Sequence, residues 1–356
     1  MARSVRNVLL LCSGFLIVLN NGLGQATSGD PRIPTGSMGP WPRPQLSQSS
    51  PLVQTVMGYV WDQSASAFRK VQGIPGASFA RDLYFTGWSL ISGRVSPDQT
   101  SALMIDSSGT VYHATLPPDN YPTALNSGVP LDTQIAFSPS GNYAVLFGPD
   151  VSQTILISGL PNQPAVGNVA ALSSITGITA AAVSDSGLVL AAAPISGSSS
   201  QIYSASASSS QPVMVTQVSQ AGGLSFVRGT SSALATDTAA GTALLLSNLS
   251  GSASVQTLAT GLAQPAYVSA SYDGRWAWVV SGSSTVVQIS LAQPASSPAT
   301  YSCSCQITAL DPLQGHSVFR LTAVESGQLL VFDGDFSSPR VVPVPLISTV
   351  STAGAQ

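Results

Sequence analysis

The feature that most limits what this chain can fold into is a phrase that it repeats. The fullest copy is SASYDGRWAWVVSGSSTVVQISL, residues 269–291. Residues 276–280 and 285–289 mass β-branched and aromatic side chains on either side of a Ser/Gly segment, the pattern of a β-hairpin. Asp273 and Gly274 just before it read as a tight turn, where glycine takes a left-handed backbone without a Cβ clash. The same turn aligns at Ser96 (SPDQ), Ser138 (SPSG), Ser184 (SDSG), Phe226 (FVRG), Ser271 (SYDG) and Asp311 (DPLQ), at spacings of 42, 46, 42, 45 and 40 residues. Each copy continues with an apolar run (ALMID, YAVLFG, LVLAAA, ALATD, WAWVV, VFRLT), a polar turn, a third strand such as TVYHATL or TVVQISL, and a weaker fourth. Four short strands and their turns fill that period, which is the period of propeller blades.

The hydrophobic pattern agrees. An isolated four-stranded sheet leaves apolar faces wet, whereas sheets packed face to face around an axis cover both faces. That accounts for second strands that are almost continuously apolar, and for small residues such as Ala182 and Ala191 to Ala193 where blades would crowd together. The fold class expected is therefore all-β, a propeller of four-stranded antiparallel blades. Six repeats are complete. Residues 57–76, ahead of them, read as a third and fourth strand without the usual first pair, with Leu52 to Val56 as a candidate for one missing strand. An open ring would expose sheet edges, so seven blades with an irregular first blade are expected and six with an accessory hairpin are the alternative.

SPSGNYAVL, SDSGLVLAA, SYDGRWAWV and SPDQTSALM resemble the repeat core of WD40-like propellers of the TolB type and the YVTN/lactonase type, over roughly residues 57–346. The chain lacks the Gly-His and Trp-Asp dipeptides of WD40 repeats and the YVTN tetrapeptide. The resemblance implies a fold, since such propellers include scaffolds, lactone hydrolases and surface-layer proteins.

The termini are of another kind. Arg3 and Arg6, the apolar stretch Val8 to Leu19, and Gly24 with Ala26 compose a signal peptide over 1–26, cleaved after Ala26. The apolar stretch is short against the roughly 20 residues that span a bilayer, so no stable membrane span is expected after cleavage. Residues 27–51 carry Pro31, Pro34, Pro40, Pro42, Pro44 and Pro51 and read as a disordered Pro/Ser-rich linker. Residues 52–346 form the propeller and 347–356 a flexible tail. The expected location is secreted, periplasmic or otherwise extracytoplasmic, as a monomer.

Chemistry is sparse. Of the 356 residues 8% are charged and the formal net charge is −3, which excludes the Lys/Arg-rich face that nucleic acid requires. There is no G-x-S-x-G elbow, no phosphate-binding G-x-x-x-x-G-K-[ST] loop and no dinucleotide fingerprint, so no cofactor, metal or catalytic residue is assigned. His113 and His316 are the two histidines, and Asp333 and Asp335 in FDGDFSSP make a D-x-D; these four are the candidates for a channel or surface site. Asp98, Asp185, Asp273 and Asp311 stand in the repeated turns, where an Asp side chain bonds backbone amides. Cys303 and Cys305, in TYSCSCQIT, are the two cysteines left after signal removal; a local disulfide, free thiols and a redox or metal role are the readings open to them. These features lead to an exported binding or scaffold propeller for a protein, glycan or envelope partner. The alternative is a lactonase-like hydrolase or lyase with its site in the central channel.

Overall fold

The computed structural model describes residues 55–195, 199–324 and 328–347. The expected signal peptide, linker and tail beyond residue 347 lie outside them. The described chain is a seven-bladed β-propeller, its blades at 56–84, 90–126, 134–168, 180–218, 221–259, 267–302 and 311–345. Every strand-to-strand pairing within a blade is antiparallel, and the one helical element is a 3₁₀ turn, Ala170–Ser174. Among the described residues no helix is long and apolar enough to cross a membrane.

Second strands lie deepest. In Ser101–Asp106 of blade 2 and Val189–Pro194 of blade 4 all but the last residue are buried, because each strand has a neighbouring blade on both faces. Outer strands such as Ser254–Ala259 of blade 5 meet water along most of their length. Around the axis the inner strands approach closely. At Gly222 a Cβ would stand 2.6 Å from the Pro265 carbonyl oxygen, and at Gly223 one would stand 2.9 Å from the Val268 nitrogen, so only glycine lets blades 5 and 6 meet there. Between blades 6 and 7 the space is filled by Trp278, fully buried against Phe319 and Phe332, its indole N–H donating to Ser317 Oγ at 3.2 Å.

Hydrogen bonds fix the frame of the repeat. A turn-opening residue donates its N–H to the carbonyl four or five residues on at Ser96, Ser138, Ser184, Val227, Ser271 and Leu313. The frames in blades 5 and 7 thus begin one and two residues later than the alignment at Phe226 and Asp311. The reason is chemical. In four blades the opening residue is a buried serine whose hydroxyl accepts the backbone N–H at the start of the second strand (Ser101, Tyr143, Leu188, Trp276), and Val227 and Leu313 have no hydroxyl to mark the place.

Blade 1 differs from the expected assignment. Its strands are Val56–Asp62, Ala67–Ile74 and Ala77–Tyr84, and they match the second, third and fourth strands of the other blades. Asp62 is the proof. Its carboxylate accepts the N–H groups of Ser64 and Ala65 across the turn to the next strand, as Asp106 does for Ser108 and Thr110, and Asp237 for Ala240. Burial alone would push these three carboxyls up, but the hydrogen bonds outweigh it and hold all three below the ordinary range. Among the described residues no strand lies inside Val56–Asp62.

Side chains and loops occupy that inner position instead. Gln99 Oε1 accepts the Tyr59 N–H at 2.7 Å, Gln99 Nε2 donates to the Pro312 carbonyl at 2.9 Å, and Gln314 N–H donates to the Met57 carbonyl. One side chain of blade 2 therefore joins blades 1 and 7. Gln99 is 4% exposed and sits at φ 61°, where Gly141, Gly187 and Gly274 stand at φ 80°, 80° and 69° in the equivalent turns. On the outer side the end of the chain closes the ring: Leu346 bridges Ala80 in parallel, and Ile347 N–H donates to the Ala80 carbonyl at 2.8 Å. Met57, Val60, Val71 and Ala80 share one core with Val318, Val331 and Val344 of blade 7.

Candidate binding site at the channel mouth

The turns that open the second strands crowd round one end of the central channel. Their second positions are Pro97, Pro139, Asp185, Arg228, Tyr272 and Gln314, one from each of blades 2 to 7. Three cross-blade ties hold this rim. Asp185 Oδ1 accepts the Ser140 N–H of blade 3 at 2.7 Å, and its Oδ2 accepts the Gly229 N–H of blade 5 at 2.9 Å. The Tyr272 N–H of blade 6 donates to the His316 carbonyl of blade 7 at 2.7 Å, and Gln99 joins blades 7, 1 and 2. A rim fixed in this way is preorganised, since little ordering entropy remains to be lost on binding.

Inside the rim lies a cavity of about 130 Å³, walled by residues of six blades. Its apolar wall is Ala136, Phe137, Leu224, Phe226, Leu310 and Phe319; its polar groups include Arg94, Arg228, Asp311, His316 and the hydroxyls of Ser225, Ser269 and Ser271. The Arg228 guanidinium lies 3.6 Å over the Tyr272 ring, and the His316 imidazole meets Tyr272 edge-on with ring centroids 6.0 Å apart. Arg94 Nη2 donates to Asp311 Oδ1 at 2.6 Å, while Arg320 Nε donates to Asp311 Oδ2 at 3.0 Å. Burial would raise the Asp311 carboxyl, yet the two guanidiniums, Arg94 before Arg320, prevail and hold it below the usual carboxylate range. Arg94 and Arg228 thus line the cavity with one carboxylate, that of Asp311, which also pairs with Arg320, so the cavity wall itself carries one more arginine than carboxylate in a chain of formal net charge −3.

At the other end the channel widens to a cavity of about 430 Å³ lined by Ser92, Thr133, Gln134, Thr179, Ala180, Gly222, Gly223 and Tyr267, with Arg94 as the charged residue among its lining. That end carries one charged side chain among its lining.

The residues marked in the sequence go to separate places. His113 is buried in the third strand of blade 2 and is not among the residues lining the mouth; its Nε2 has no hydrogen-bond partner among the described residues, and burial lowers its pKa from 6.5. His316 is exposed on the rim. Asp333 is buried and faces Arg340 Nη2 at 3.5 Å, whereas Asp335 is exposed and accepts the His316 backbone N–H at 2.7 Å, so the two carboxylates of the D-x-D serve different partners. Among the described residues no three His, Cys, Asp or Glu side chains gather as metal ligands. Cys303 and Cys305 lie between blades 6 and 7 with sulfurs at bonding distance and Cα atoms 5.1 Å apart, inside the range a disulfide tolerates. Arg94, Arg228 and Tyr272 were not among the sequence candidates. Their visible signal is position: Arg228 and Tyr272 occupy the same column of the repeated turn.

No protein-family model and no curated protein sequence matches the chain. Solved structures do. One is a functionally unknown protein from Desulfotomaculum acetoxidans, 15% identical, covering 81% of this chain and 94% of its own at a TM-score of 0.56. Another is apo AztD from Citrobacter koseri, 11% identical, covering 82% of this chain and 84% of its own at a TM-score of 0.53. At such identities the likeness is one of fold.

Proposed function

We propose that the protein is an exported binding module that presents the turn-side mouth of its channel to a protein, glycan or envelope partner. The observation that carries this reading is the mouth itself: a concave site lined about equally by apolar surface and convergent polar groups, built on turns that six blades hold in register. Such a site suits recognition, because Arg and Tyr anchors set in an apolar pocket supply most of the energy in protein interfaces. The carboxylates around it are already engaged. Asp185 holds two backbone amides, Asp273 accepts the Ser271 hydroxyl and the Arg275 N–H, and Asp311 is clamped by two arginines.

The test is selective capture. The full chain and an Arg228→Ala, Tyr272→Ala double variant, each immobilised, are presented with peptide and glycan libraries and envelope extracts. A ligand retained by the parent and by a Val213→Ser, Met214→Ser variant of the outer surface, but lost by the double variant, supports the reading. Ligands that follow the outer-surface variant, or none at all, would refute it.

A second reading, a lactonase-type hydrolase, has one observation in its favour: His316 stands on the rim beside Asp335, whose carboxylate accepts the His316 backbone N–H. Hydrolysis of simple lactones by the full chain, abolished in His316→Ala, would decide for it.

A further inference from the structure

Resting on the reading of the mouth as a binding site, we propose that its ligand carries a carboxylate on a compact apolar body, the carboxylate held by Arg228 and Arg94. Charge is the first argument. Asp311 neutralises one of the two guanidiniums that clamp it, and Arg228 makes no ion pair with any described carboxylate, so the cavity wall offers more cationic than anionic groups. Asp185 and Asp273 stand in the adjoining turns, but their oxygens are directed to backbone amides and the Ser271 hydroxyl.

The second argument is an unmade bond. Arg228 Nη1 is buried and has no acceptor among the described residues, although leaving a buried charged donor unsatisfied is among the costlier defects a fold can carry. Tyr272 covers one face of this guanidinium, and Arg228 is among the residues that line the cavity. A guanidinium stacked on an aromatic ring keeps the planar fork that takes a carboxylate through two parallel hydrogen bonds.

The rest of the ligand follows from the walls. Ala136, Phe137 and Leu224 ask for an apolar body, and 130 Å³ of water-accessible space, at roughly 10–15 Å³ per water position, holds on the order of ten non-hydrogen atoms. A free aryl or alkyl carboxylate and the C-terminal residue of a peptide share this chemistry.

The experiment titrates the full chain by calorimetry with 3-phenylpropionate, its neutral amide and the corresponding amine, and then with a peptide ending in phenylalanine as the free acid or the amide. The carboxylate should bind, the amide and amine at least tenfold more weakly, and added salt should weaken the carboxylate alone. Arg228→Gln should lose at least tenfold, Arg228→Lys should recover part of it, and Tyr272→Leu should weaken binding while far-UV circular dichroism stays unchanged. Tighter binding of the peptide acid than of 3-phenylpropionate would assign the site to a protein C-terminus, and the reverse to a free metabolite. No binding by the parent chain, equal binding of acid and amide, or an unaffected Arg228→Gln would overturn the proposal. If acids fail while capture still depends on Arg228 and Tyr272, the ligand class is wrong and the binding mouth stands; if capture fails too, both fall.

Discussion

Gln99 is the sharpest test of how this ring is closed, because two opposing terms meet in one residue. It holds a left-handed backbone at φ 61°, in a column where three equivalent turns use glycine. That conformation costs a non-glycine residue about 1–2 kcal/mol. Against this, its buried side chain satisfies the Tyr59 N–H and the Pro312 carbonyl, the first of which lies on a strand edge with no inner neighbour. Losing both bonds leaves buried groups unpaired at about 1–3 kcal/mol each. Gln99→Gly should therefore destabilise the protein by about 1–4 kcal/mol even though it relieves the backbone, and Gln99→Ala by about 1 kcal/mol more than Gly. Gln99→Glu keeps the acceptor for Tyr59 but sets a carboxylate oxygen against the Pro312 carbonyl, so it should be worse at neutral pH than in mild acid. Urea denaturation followed by tryptophan fluorescence gives the totals. Amide hydrogen exchange at Tyr59 gives the local effect, which should rise far more than exchange at Val279 in blade 6. A Gln99→Gly protein as stable as the parent, with Tyr59 equally protected, would refute the reasoning.

The other expectations are simpler. Asp185→Ala removes charged acceptors from two amides on a half-exposed rim and should cost about 1–3 kcal/mol by chemical denaturation, with Asp185→Asn losing about half as much. Because burial lowers the His113 pKa, the unfolded chain binds its proton first as pH falls; the parent should lose stability below its ordinary value of 6.5, whereas His113→Leu should not, and at pH 7 that variant should be neutral or about 1 kcal/mol more stable. Thermal unfolding across pH 5–8 reads both. Non-reduced peptide mapping should find the 303–305 segment two hydrogens lighter than its reduced form, and a pair of alkylatable thiols would remove the disulfide. N-terminal sequencing of exported protein should begin at Thr27; an intact leader would end the claim of cleavage.

Most of the ring was readable from the chain because its turns are self-contained. Where a serine hydroxyl and a glycine hold the turn, as at Ser138, Ser184 and Ser271, local chemistry fixes the frame and the alignment fell in place. Where no serine opens the turn, at Val227 and Leu313, the side chains that brace it come from other positions, such as Thr230, Asp185 and Asp335, and the frame lies one or two residues from the aligned place. Blade 1 departs from the expected assignment for a related reason: YVWD stands in the place of ALMID and ALATD with no serine-opened turn before it among the described residues, although Asp62, Asp106 and Asp237 close the same turn. The site was less legible. That Arg228 and Tyr272 share a column is visible in the sequence, but that one stacks on the other depends on the rotation between blades, which no local pattern encodes. The clamp of Arg94, Asp311 and Arg320 joins residues more than two hundred positions apart, and only ring closure brings them together.

A crystal structure of the full chain tests the account most directly, at the seam between blades 7, 1 and 2. The account predicts seven sheets around one axis, with Val56–Asp62 in the second-strand place, Gln99 bonded to Tyr59 and Pro312, and Leu346 beside Ala80. A closed ring of six sheets, with residues 56–84 packed outside it, would contradict the seam, the rim built on it and the site that the rim encloses.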